Sequence, residues 1–305
     1  MQQVDEPRVS VIIPCYNHEQ FIQQSIQSII DQTYINIELI IIDDGSKDNS
    51  VMKIQEMIEL CEERFTRFEF RSRANIGVSS TLNEGIEWCR GKYWTACSSD
   101  DFYHKDKVLS QVTYLSENKK CKFCVTESYV VNDLSKELIK ETSTYNVNLR
   151  DNITFTDIFL FKVHLPVTGM YVKDFLQFDL GGFDSSLSAE DYDINLKIAS
   201  RTNIGVIPER LYYYRSPTAS GSDRVRLPMK VDVSESHLRT IKKYKGHPQY
   251  QEALTEWNFR RFIYYSSYSQ TKIYAFKGMI KSYRKINNIL YLKALFRLIF
   301  YWRKA

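Results

Sequence analysis

Short apolar runs alternate with helix-spaced apolar residues through the first hundred residues of this 305-residue chain. The runs predict strands at residues 9–13, 37–42, 65–70 and 93–97. Between them, three sets of apolar residues at helical spacing predict helices: Ile22, Ile26, Ile29 and Ile30; Val51, Ile54, Ile58 and Cys61; Leu82, Ile86 and Cys89. Run 37–42 is apolar almost throughout, which suits a strand covered on both faces. The order therefore predicts a parallel α/β sheet with right-handed crossovers.

Polar residues follow three of the predicted strands. They are Tyr16 with Asn17, Asp43 with Asp44, and Asp100 with Asp101. Ligands of open α/β sheets bind beyond the carboxyl ends of strands, so these clusters predict a ligand site. Carboxylates there suit Mg²⁺ or Mn²⁺ that also holds a diphosphate, although solvated loop carboxylates or a helix cap would explain an isolated Asp pair. Asn17, with Gln20, is expected to cap the helix that follows it.

From about residue 120 the sequence predicts strands and helices in no regular alternation. Strands are predicted near residues 123–126, 169–172, 205–207 and 211–214, with a helix after Glu190. The Ser-, Gly- and Pro-containing run 216–223 predicts a loop or linker and a boundary. Because a single core rarely grows beyond about 250 to 300 residues, one large domain with an appendage is favoured.

Charge is divided unevenly along the chain. The net charge is +4, but the residues after Glu256 contain 11 Lys or Arg and no acid. In this segment Leu292, Leu295, Phe296, Ile299 and Trp302 recur at helical spacing, with Lys293, Arg297 and Lys304 on another face. That pattern is typical of a helix lying in an anionic membrane interface, and a packed helix with a solvated basic face is the alternative.

Several other classes of protein are disfavoured. No stretch approaches the roughly 18 apolar residues of a transmembrane helix, and the first eight residues are too polar for a signal peptide, so a cytosolic location is expected. Cys121 and Cys124 have the spacing of a redox or zinc-knuckle pair, but no second pair completes a zinc site, and all six cysteines are expected to be buried thiols. No G-x-G-x-x-G follows the first strand, and no nucleic-acid motif is recognisable.

Short motifs follow one another along the chain at 9–17 (VSVIIPCYN), 32–33 (QT), 38–46 (ELIIIDDGS), 75–78 (NIGV), 97–101 (CSSDD), 190–191 (ED) and 213–215 (YYR). This succession resembles glycosyltransferase family 2, inverting transferases that use nucleotide sugars. The resemblance implies an α/β fold of the GT-A type, a Rossmann-like, mostly parallel sheet flanked by helices, with a C-terminal helical extension. Together with the boundary predicted at 216–223, the resemblance divides the chain into a catalytic domain at 1–220, with a nucleotide-sugar half at about 1–118 and an acceptor half at about 119–220, and a basic helical region at 221–305.

The resemblance also implies roles on the nucleotide side. Pro14 and Tyr16 are expected to pack against the base, and Asp44 to accept a hydrogen bond from a uracil ring. Arg73 and Asn75 fall where members of the family contact the base or the phosphates.

The remaining implied residues hold the metal and perform the chemistry. Asp100 and Asp101 are similar to the DXD region, in which one carboxylate meets the ribose or metal and the other the metal; which is the direct ligand is left open. Glu190 and Asp191 match the acidic pair, with Asp191 as general base. Arg215 is expected to contact the diphosphate.

The chain departs from the family pattern at two positions. Ser98 stands where a common version has the first Asp of Asp-x-Asp-Asp, and Pro217 stands where a His is frequent. Ser220 is a further candidate for closing over the diphosphate. These departures raise the alternative of a catalytically silent nucleotide-sugar or polysaccharide-binding module on the same scaffold.

The predicted function is that of an inverting, non-processive, metal-dependent glycosyltransferase. The expected donor is a nucleotide sugar, UDP-linked, with Mg²⁺ or Mn²⁺ as cofactor. The expected acceptor is a sugar or lipid-linked oligosaccharide in bacterial surface polysaccharide synthesis, such as O-antigen or capsule. The C-terminal helix would hold the enzyme peripherally on the anionic inner face of the plasma membrane, with no nucleic acid as partner.

Overall fold

The computed structural model describes residues 6–216 and 230–303. Its strands are β1 (Val9–Cys15), β2 (Ile37–Asp43), β3 (Arg67–Ser72), β4 (Tyr93–Ala96), β5 (Phe102–Tyr103), β6 (Phe123–Val131), β7 (Met170–Val172) and β8 (Ile204–Arg215). Its helices are α1 (Ile22–Ile30), α2 (Ser50–Gln55), α3 (Ile58–Arg64), α4 (Val78–Trp88), α5 (Lys107–Glu117), α6 (Ile139–Asn146), α7 (Phe155–Phe159), α8 (Glu190–Ala199), α9 (Val231–Lys243), α10 (Tyr250–Tyr265), α11 (Lys272–Lys281) and α12 (Ile289–Phe300).

The strands described here form one sheet in the order β3-β2-β1-β4-β7-β6-β8-β5. Neighbours among β1 to β4 are parallel, as are β6 and β8, whereas β7 and β5 run antiparallel to their partners. The predicted α/β class and the first four strands are confirmed. The antiparallel β7 joins the parallel first half of the sheet to β6 and β8.

The central strands are buried on both faces, because helices cover each side of the sheet. Successive side chains of a strand point to opposite faces. Val11 and Ile13 of β1 therefore enter a core with helices α1, α3 and α5, while Ile12 enters a second core with α4, α7 and α8. All six cysteines are free and buried, as the sequence predicts.

The start of α1 differs from the prediction. The helix begins at Ile22 after Phe21, and no side chain caps it. Asn17 instead has a left-handed backbone (φ 55°), and its Oδ1 accepts a hydrogen bond from Lys47 N at 2.7 Å. The prediction that Asn17 caps this helix is wrong, because Asn17 ties the turn after β1 to the turn after β2.

Two further elements also differ from the sequence prediction. The helix signal from Val51 to Cys61 is divided into α2 and α3. The two short strands predicted at 205–207 and 211–214 are one strand, β8, which pairs with β6 through an irregular register near Glu127. The irregularity accommodates Pro208, which has no backbone N–H to donate.

The C-terminal helices do not form one separate unit. Ile241 of α9 and Ala253 and Trp257 of α10 belong to the same core cluster as β1, α7 and α8. A different apolar cluster joins the second half of α10 to α11 and α12. The predicted boundary between residues 220 and 221 lies outside the described residues, as do Pro217 and Ser220. Helices α9 and α10 therefore connect the core that contains β1, α7 and α8 to α11 and α12.

Helix α12 has one packed face and one exposed face. Tyr291 and Ala294 are buried against α10 and α11. Leu292, Phe296 and Ile299 of the predicted stripe are each about half exposed, and Trp302 beyond the helix is 65% exposed. Within residues 6–216 and 230–303, none of the helices combines the length and the apolar character needed to cross a bilayer.

Candidate active site

A cavity of about 430 Å³ lies beyond the carboxyl ends of β1, β2 and β4. Five residues that the sequence predicts for the nucleotide side line it together: Pro14, Tyr16, Asp44, Asn75 and Asp100. The parallel pairing of β1 with both β2 and β4 places these strand ends at one edge of the sheet. We call this space the nucleotide cavity.

Asp44 is fixed in the cavity wall by backbone donors. Its Oδ1 accepts a hydrogen bond from Ile76 N at 2.8 Å, and its Oδ2 accepts one from Gly77 N at 2.9 Å. Arg73 forms an ion pair with Asp44 and another with Glu84, at 2.7 Å. Arg73, which the sequence predicts to contact the base or the phosphates, is not among the residues that line the cavity and contacts Asp44 instead.

The turn after β2 brings Asn75 to the same cavity. Gly45 has φ +78°, a conformation that L side chains rarely adopt. A Cβ at this position would lie 2.8 Å from Asn75 N and 3.0 Å from Arg73 O. Asp43 stabilises the turn, because its Oδ2 accepts hydrogen bonds from Gly45 N and Ser46 N. The DDGS segment thus lets two backbone segments meet at the cavity wall.

His18 is a cavity residue for which the sequence provides no signal. Its Nδ1 lies 2.7 Å from Ser99 Oγ, and its Nε2 lies 3.9 Å from Asp100 Oδ2. His18 and Ser99 are 81 positions apart, and the spacing of His18 matches no metal-binding pattern. Only the pairing of β1 with β4 brings them together.

Asp101 and Arg215 are buried together beside the cavity. Asp101 is 2% exposed; its Oδ1 accepts a hydrogen bond from Arg215 N at 2.7 Å and its Oδ2 one from Tyr212 Oη at 2.8 Å. Burial and the charge of Asp100 hold the pKa of Asp101 well above its usual range. The Arg215 guanidinium, 1% exposed, donates to the carbonyls of Asp100 and Asn132 at 2.8 and 2.7 Å. Neither residue lines the nucleotide cavity.

The protein oxygen ligands at this edge of the sheet fit a cation whose remaining coordination positions are filled by the substrate. In the described ranges, no three His, Cys, Asp or Glu side chains are arranged to hold a metal ion by themselves. Asp100 presents a carboxylate to the cavity, and Mg²⁺ and Mn²⁺ take oxygen ligands, with phosphates and water filling the rest of the shell. Asp100 would therefore hold such an ion together with a diphosphate.

Two more cavities continue the cleft. A middle cavity of about 130 Å³ is lined by Trp94, Phe123, Tyr171 and Phe183, among others, and shares Pro14, Val78 and Ser98 with the nucleotide cavity. An outer cavity of about 420 Å³ shares Leu165, Glu190, Asp191 and Asn195 with the middle one. The nucleotide and outer cavities have no lining residue in common among those described.

Glu190 and Asp191 stand where the middle and outer cavities meet. They begin helix α8, and the carboxylate of Asp191 accepts a hydrogen bond from Tyr192 N at 2.8 Å. Burial raises the pKa of Glu190 to about 7, and the negative charge of Asp191 adds to the shift. The predicted acidic pair is thus on the wall of the cleft, separated from the nucleotide cavity by the middle cavity.

The fold of the described residues, an eight-stranded sheet flanked by helices, is similar to the GT-A fold. Its solved members include TarS from S. aureus in complex with UDP-GlcNAc, to which this chain is 17% identical with a TM-score of 0.61 over 97% of this chain and 93% of that one. A mannosyltransferase from Pyrobaculum calidifontis, in complex with GDP-Man and Mn²⁺, has a TM-score of 0.62 at 16% identity over 96% of this chain and 79% of that one.

The family follows from the sequence. The model of the family described as Glycosyl transferase family 2 matches residues 10–169, just over half of the chain, and the chain belongs to this family. An uncharacterized glycosyltransferase of Rickettsia bellii is 31% identical over 63% of the chain and 27% of its own length. One of Methanocaldococcus jannaschii is 26% identical over 85% of the chain and 82% of its own length. The chain spans about a quarter to a third of the length of the first Rickettsia relatives.

Proposed function

We propose that this chain is an inverting, non-processive glycosyltransferase that moves a sugar from a UDP-linked donor to a hydroxyl of a sugar acceptor. The observation that carries the proposal is the order of the three cavities. A nucleoside diphosphate in the nucleotide cavity would direct its sugar into the middle cavity, and an acceptor in the outer cavity would approach that sugar past Asp191. The diphosphate leaving group and the acceptor hydroxyl would then lie on different sides of the anomeric carbon, which suits a single in-line displacement.

The nucleotide end of the cleft binds and orients the donor. Pro14 and Tyr16 offer apolar surface to the base, and Asp44, held by the N–H groups of Ile76 and Gly77, has the fixed position that recognition of a base requires. Asp100 is the carboxylate placed to hold a metal ion, and the buried Asp101 positions it through Arg215. A bound Mg²⁺ or Mn²⁺ would offset the negative charge that grows on the departing diphosphate.

Asp191 serves as the general base. A sugar hydroxyl is a weak nucleophile until a carboxylate within hydrogen-bond reach takes its proton. The oxygen then forms a bond to the anomeric carbon while the bond to the diphosphate breaks, and the electron pair leaves with the nucleoside diphosphate. No covalent carboxylate intermediate is needed. Glu190, whose pKa is raised to about 7 and which lines the same two cavities, is the next candidate for the base.

The first test replaces the base. Asp191→Asn should lower the turnover of transfer by at least about two orders of magnitude while UDP-sugar affinity stays within a few-fold of the parent. Asp174→Asn, which changes an exposed Asp outside the cleft, is the matched control. Turnover within a few-fold of the parent in Asp191→Asn would rule this residue out as base.

Measurements of donor binding and donor hydrolysis distinguish an active enzyme from a catalytically silent binding module. Thermal shifts with UDP-, GDP- and dTDP-sugars, with and without Mn²⁺, identify the nucleotide; a ligand at about 100 times its dissociation constant adds about 2.7 kcal/mol of stability. Hydrolysis of the bound sugar nucleotide distinguishes a working site from a binding module. Binding without hydrolysis or transfer would favour the silent module, which the departures from the family pattern at Ser98 and Pro217 suggest.

We propose a lipid-linked oligosaccharide of bacterial surface polysaccharide synthesis as acceptor, reached at the cytoplasmic face of the membrane. Support comes from the C-terminal surface. Helices α11 and α12 expose Ile273, Phe276, Ile280, Phe296 and Ile299 in a segment whose charged residues are all basic. Apolar side chains surrounded by Lys and Arg are the features with which interfacial helices bind anionic bilayers.

A further inference from the structure

The outer cavity is built from two parts of the chain. Catalytic-domain residues contribute Phe161, His164 and Tyr192, while α9 contributes His237 and α10 contributes Arg260. Its volume of about 420 Å³ is within the usual range of small-molecule sites, about 300 to 1,000 Å³. Asp191 lines the same cavity, so anything bound there lies beside the proposed base.

Aromatic rings hold Arg260 in the cavity wall. The guanidinium carbon of Arg260 lies 4.7 Å from the ring centre of Phe161 and 5.3 Å from that of Tyr264. Phe161 is itself stacked on Tyr192, with ring centres 4.6 Å apart, and the Tyr192 hydroxyl donates to the carbonyl of Phe159 at 2.9 Å. The guanidinium is thus held in position before any ligand binds, which reduces the entropy lost on binding.

Arg260 has no acidic partner in the part of the chain that the structure describes. Its guanidinium contacts the rings of Phe161 and Tyr264, and it is the single Arg or Lys among the described residues that line the outer cavity. Burial lowers the pKa of His237 to about 4, and Asp191 opposes that shift only in part. The His237 ring is therefore neutral near pH 7, and Arg260 supplies the fixed positive charge.

The cavity consequently has charges of opposite sign on its wall. Glu190 and Asp191 stand where it opens into the middle cavity, and Arg260 reaches it from α10. An acidic group on a ligand is repelled by the carboxylates and attracted by the guanidinium, which can bind phosphate or carboxylate with two parallel hydrogen bonds. A ligand with one acidic group is thereby oriented, with its uncharged hydroxyls towards Asp191.

We propose that the outer cavity is the acceptor site and that it selects an acceptor bearing a phosphate or carboxylate group, which pairs with Arg260. The assignment of the cavity to an acceptor rests on the proposed function. The charge selectivity rests on Arg260 and the cavity wall alone.

The test compares three sugars of similar size that differ in charge: glucose 6-phosphate, glucuronate and glucose. Ligand-detected NMR measures their binding to the full chain, with and without saturating UDP. Both charged sugars should bind at least about tenfold more tightly than glucose, in both states, because the outer and nucleotide cavities share no described lining residue. A preference for one of the two charged sugars identifies the acidic group as phosphate or carboxylate.

Substitutions at Arg260 test whether its guanidinium causes the preference for charged sugars over glucose. Arg260→Gln should abolish the preference over glucose, Arg260→Lys should retain part of it, and Arg201→Gln, which removes an exposed cation elsewhere, should leave it unchanged. Equal binding of all three sugars, or an unchanged preference in Arg260→Gln, would overturn the proposal. UDP affinity and donor hydrolysis are measured on the same samples, so a chain that binds UDP but shows no charge preference refutes this inference and leaves the proposed function standing.

Discussion

Asp100 and Asp101 are adjacent in sequence but lie in different environments. Asp100 faces the nucleotide cavity near His18, whereas Asp101 is buried and accepts hydrogen bonds from Tyr212 and Arg215. The sequence identified both as candidate ligands and left their roles open. We propose Asp100 as the direct ligand, because it lines the cavity in which a diphosphate would lie and Asp101 does not.

Replacing each Asp should separate metal binding from stability. Asp100→Ala should remove the Mn²⁺-dependent part of UDP affinity, measured by calorimetry with Mn²⁺ or EDTA. Asp101→Ala should lower the free energy of unfolding in urea by about 1 to 3 kcal/mol or more, because two buried donors lose their acceptor. Asp174→Ala is the control for both measurements. A Mn²⁺ effect in Asp100→Ala equal to that of the parent would exclude it as ligand.

Glu190 should make stability depend on pH. Its folded pKa of about 7 exceeds the ordinary value of 4.5, so the folded state holds a proton that the unfolded state has lost. The stabilisation is fully present below about pH 4.5 and is lost as pH rises through about 7. Glu190→Gln should therefore gain stability over the parent between pH 5 and pH 8, by up to about 3 kcal/mol in urea unfolding. A difference that stays constant over this range would contradict the raised pKa.

Recognisable strand ends pointed to Tyr16, Asp44 and Asp100, whereas Pro14 and Asn75 were implied by the resemblance to family 2; all five line the nucleotide cavity. Sequence reasoning could not separate the roles of Asp100 and Asp101, since Tyr212 and Arg215 are more than a hundred positions away. His18 was missed for the same reason: its partner Ser99 lies on a different strand end.

At the scale of elements, the turn between β2 and α2 connects local backbone geometry to donor binding. Gly45→Ala should lower the free energy of unfolding by about 1 to 3 kcal/mol, because its φ of +78° is strained for Ala and its Cβ would meet Asn75 N. UDP affinity should fall as well, because relief of the clash with the new Cβ would displace Asn75, which lines the nucleotide cavity. Urea unfolding and calorimetry provide the measurements.

Gly246 offers a matched control for this substitution. It lacks the positive φ, and a Cβ there would meet nothing within 4 Å. Gly246→Ala should change neither stability nor UDP affinity appreciably. If Gly45→Ala behaved in the same way, the close approach at this turn would have no importance for the site.

Apolar runs predicted β1, β2 and β4 well, because each is buried in the centre of the sheet. The first and last residues of an element were harder to predict where they depend on contacts with residues distant in sequence. Asn17 looks like a helix cap in sequence, but Lys47 N competes for its side chain. β8 looked like two strands, because Pro208 and the exposed residues beside it interrupt the apolar pattern of one long strand.

At the scale of the whole molecule, the exposed apolar face of α12 can be changed without disturbing its packed face. Replacing Phe296, Ile299 and Phe300 by Ser should lower sedimentation with anionic liposomes at least about tenfold, because each side chain buried in the interface contributes to binding. Raised salt should weaken binding of the parent only in part, since salt screens the cations and leaves the apolar contribution.

A second triple variant controls for the loss of apolar surface in general. Leu134, Ile139 and Val147 are also exposed but lie far from α12 in sequence. Their replacement by Ser should leave sedimentation unchanged, and neither triple variant should alter UDP affinity. Equal sedimentation of the parent and the α12 variant would remove the membrane proposal and leave α12 as a packed helix with a solvated face.

The outer cavity shows the limit of sequence reasoning at this scale. Glu190 and Asp191 were recognised as a motif, but no pattern connects them with His237 or Arg260. Those two residues come from helices that the sequence analysis assigned to a region outside the catalytic domain. Only the packing of α9 and α10 on the core brings them to the cavity.

Along α9 and α10, residues of two kinds are interleaved. Ile241 and Trp257 belong to the core, while His237 and Arg260 face the outer cavity. A chimera that exchanged these helices for those of a relative would therefore transplant the proposed acceptor contacts and the core packing together, and would fail to fold wherever the two cores differ in shape. We expect divergence among relatives with different acceptors to proceed by single changes at cavity positions, while the interleaved core positions keep their size and apolar character.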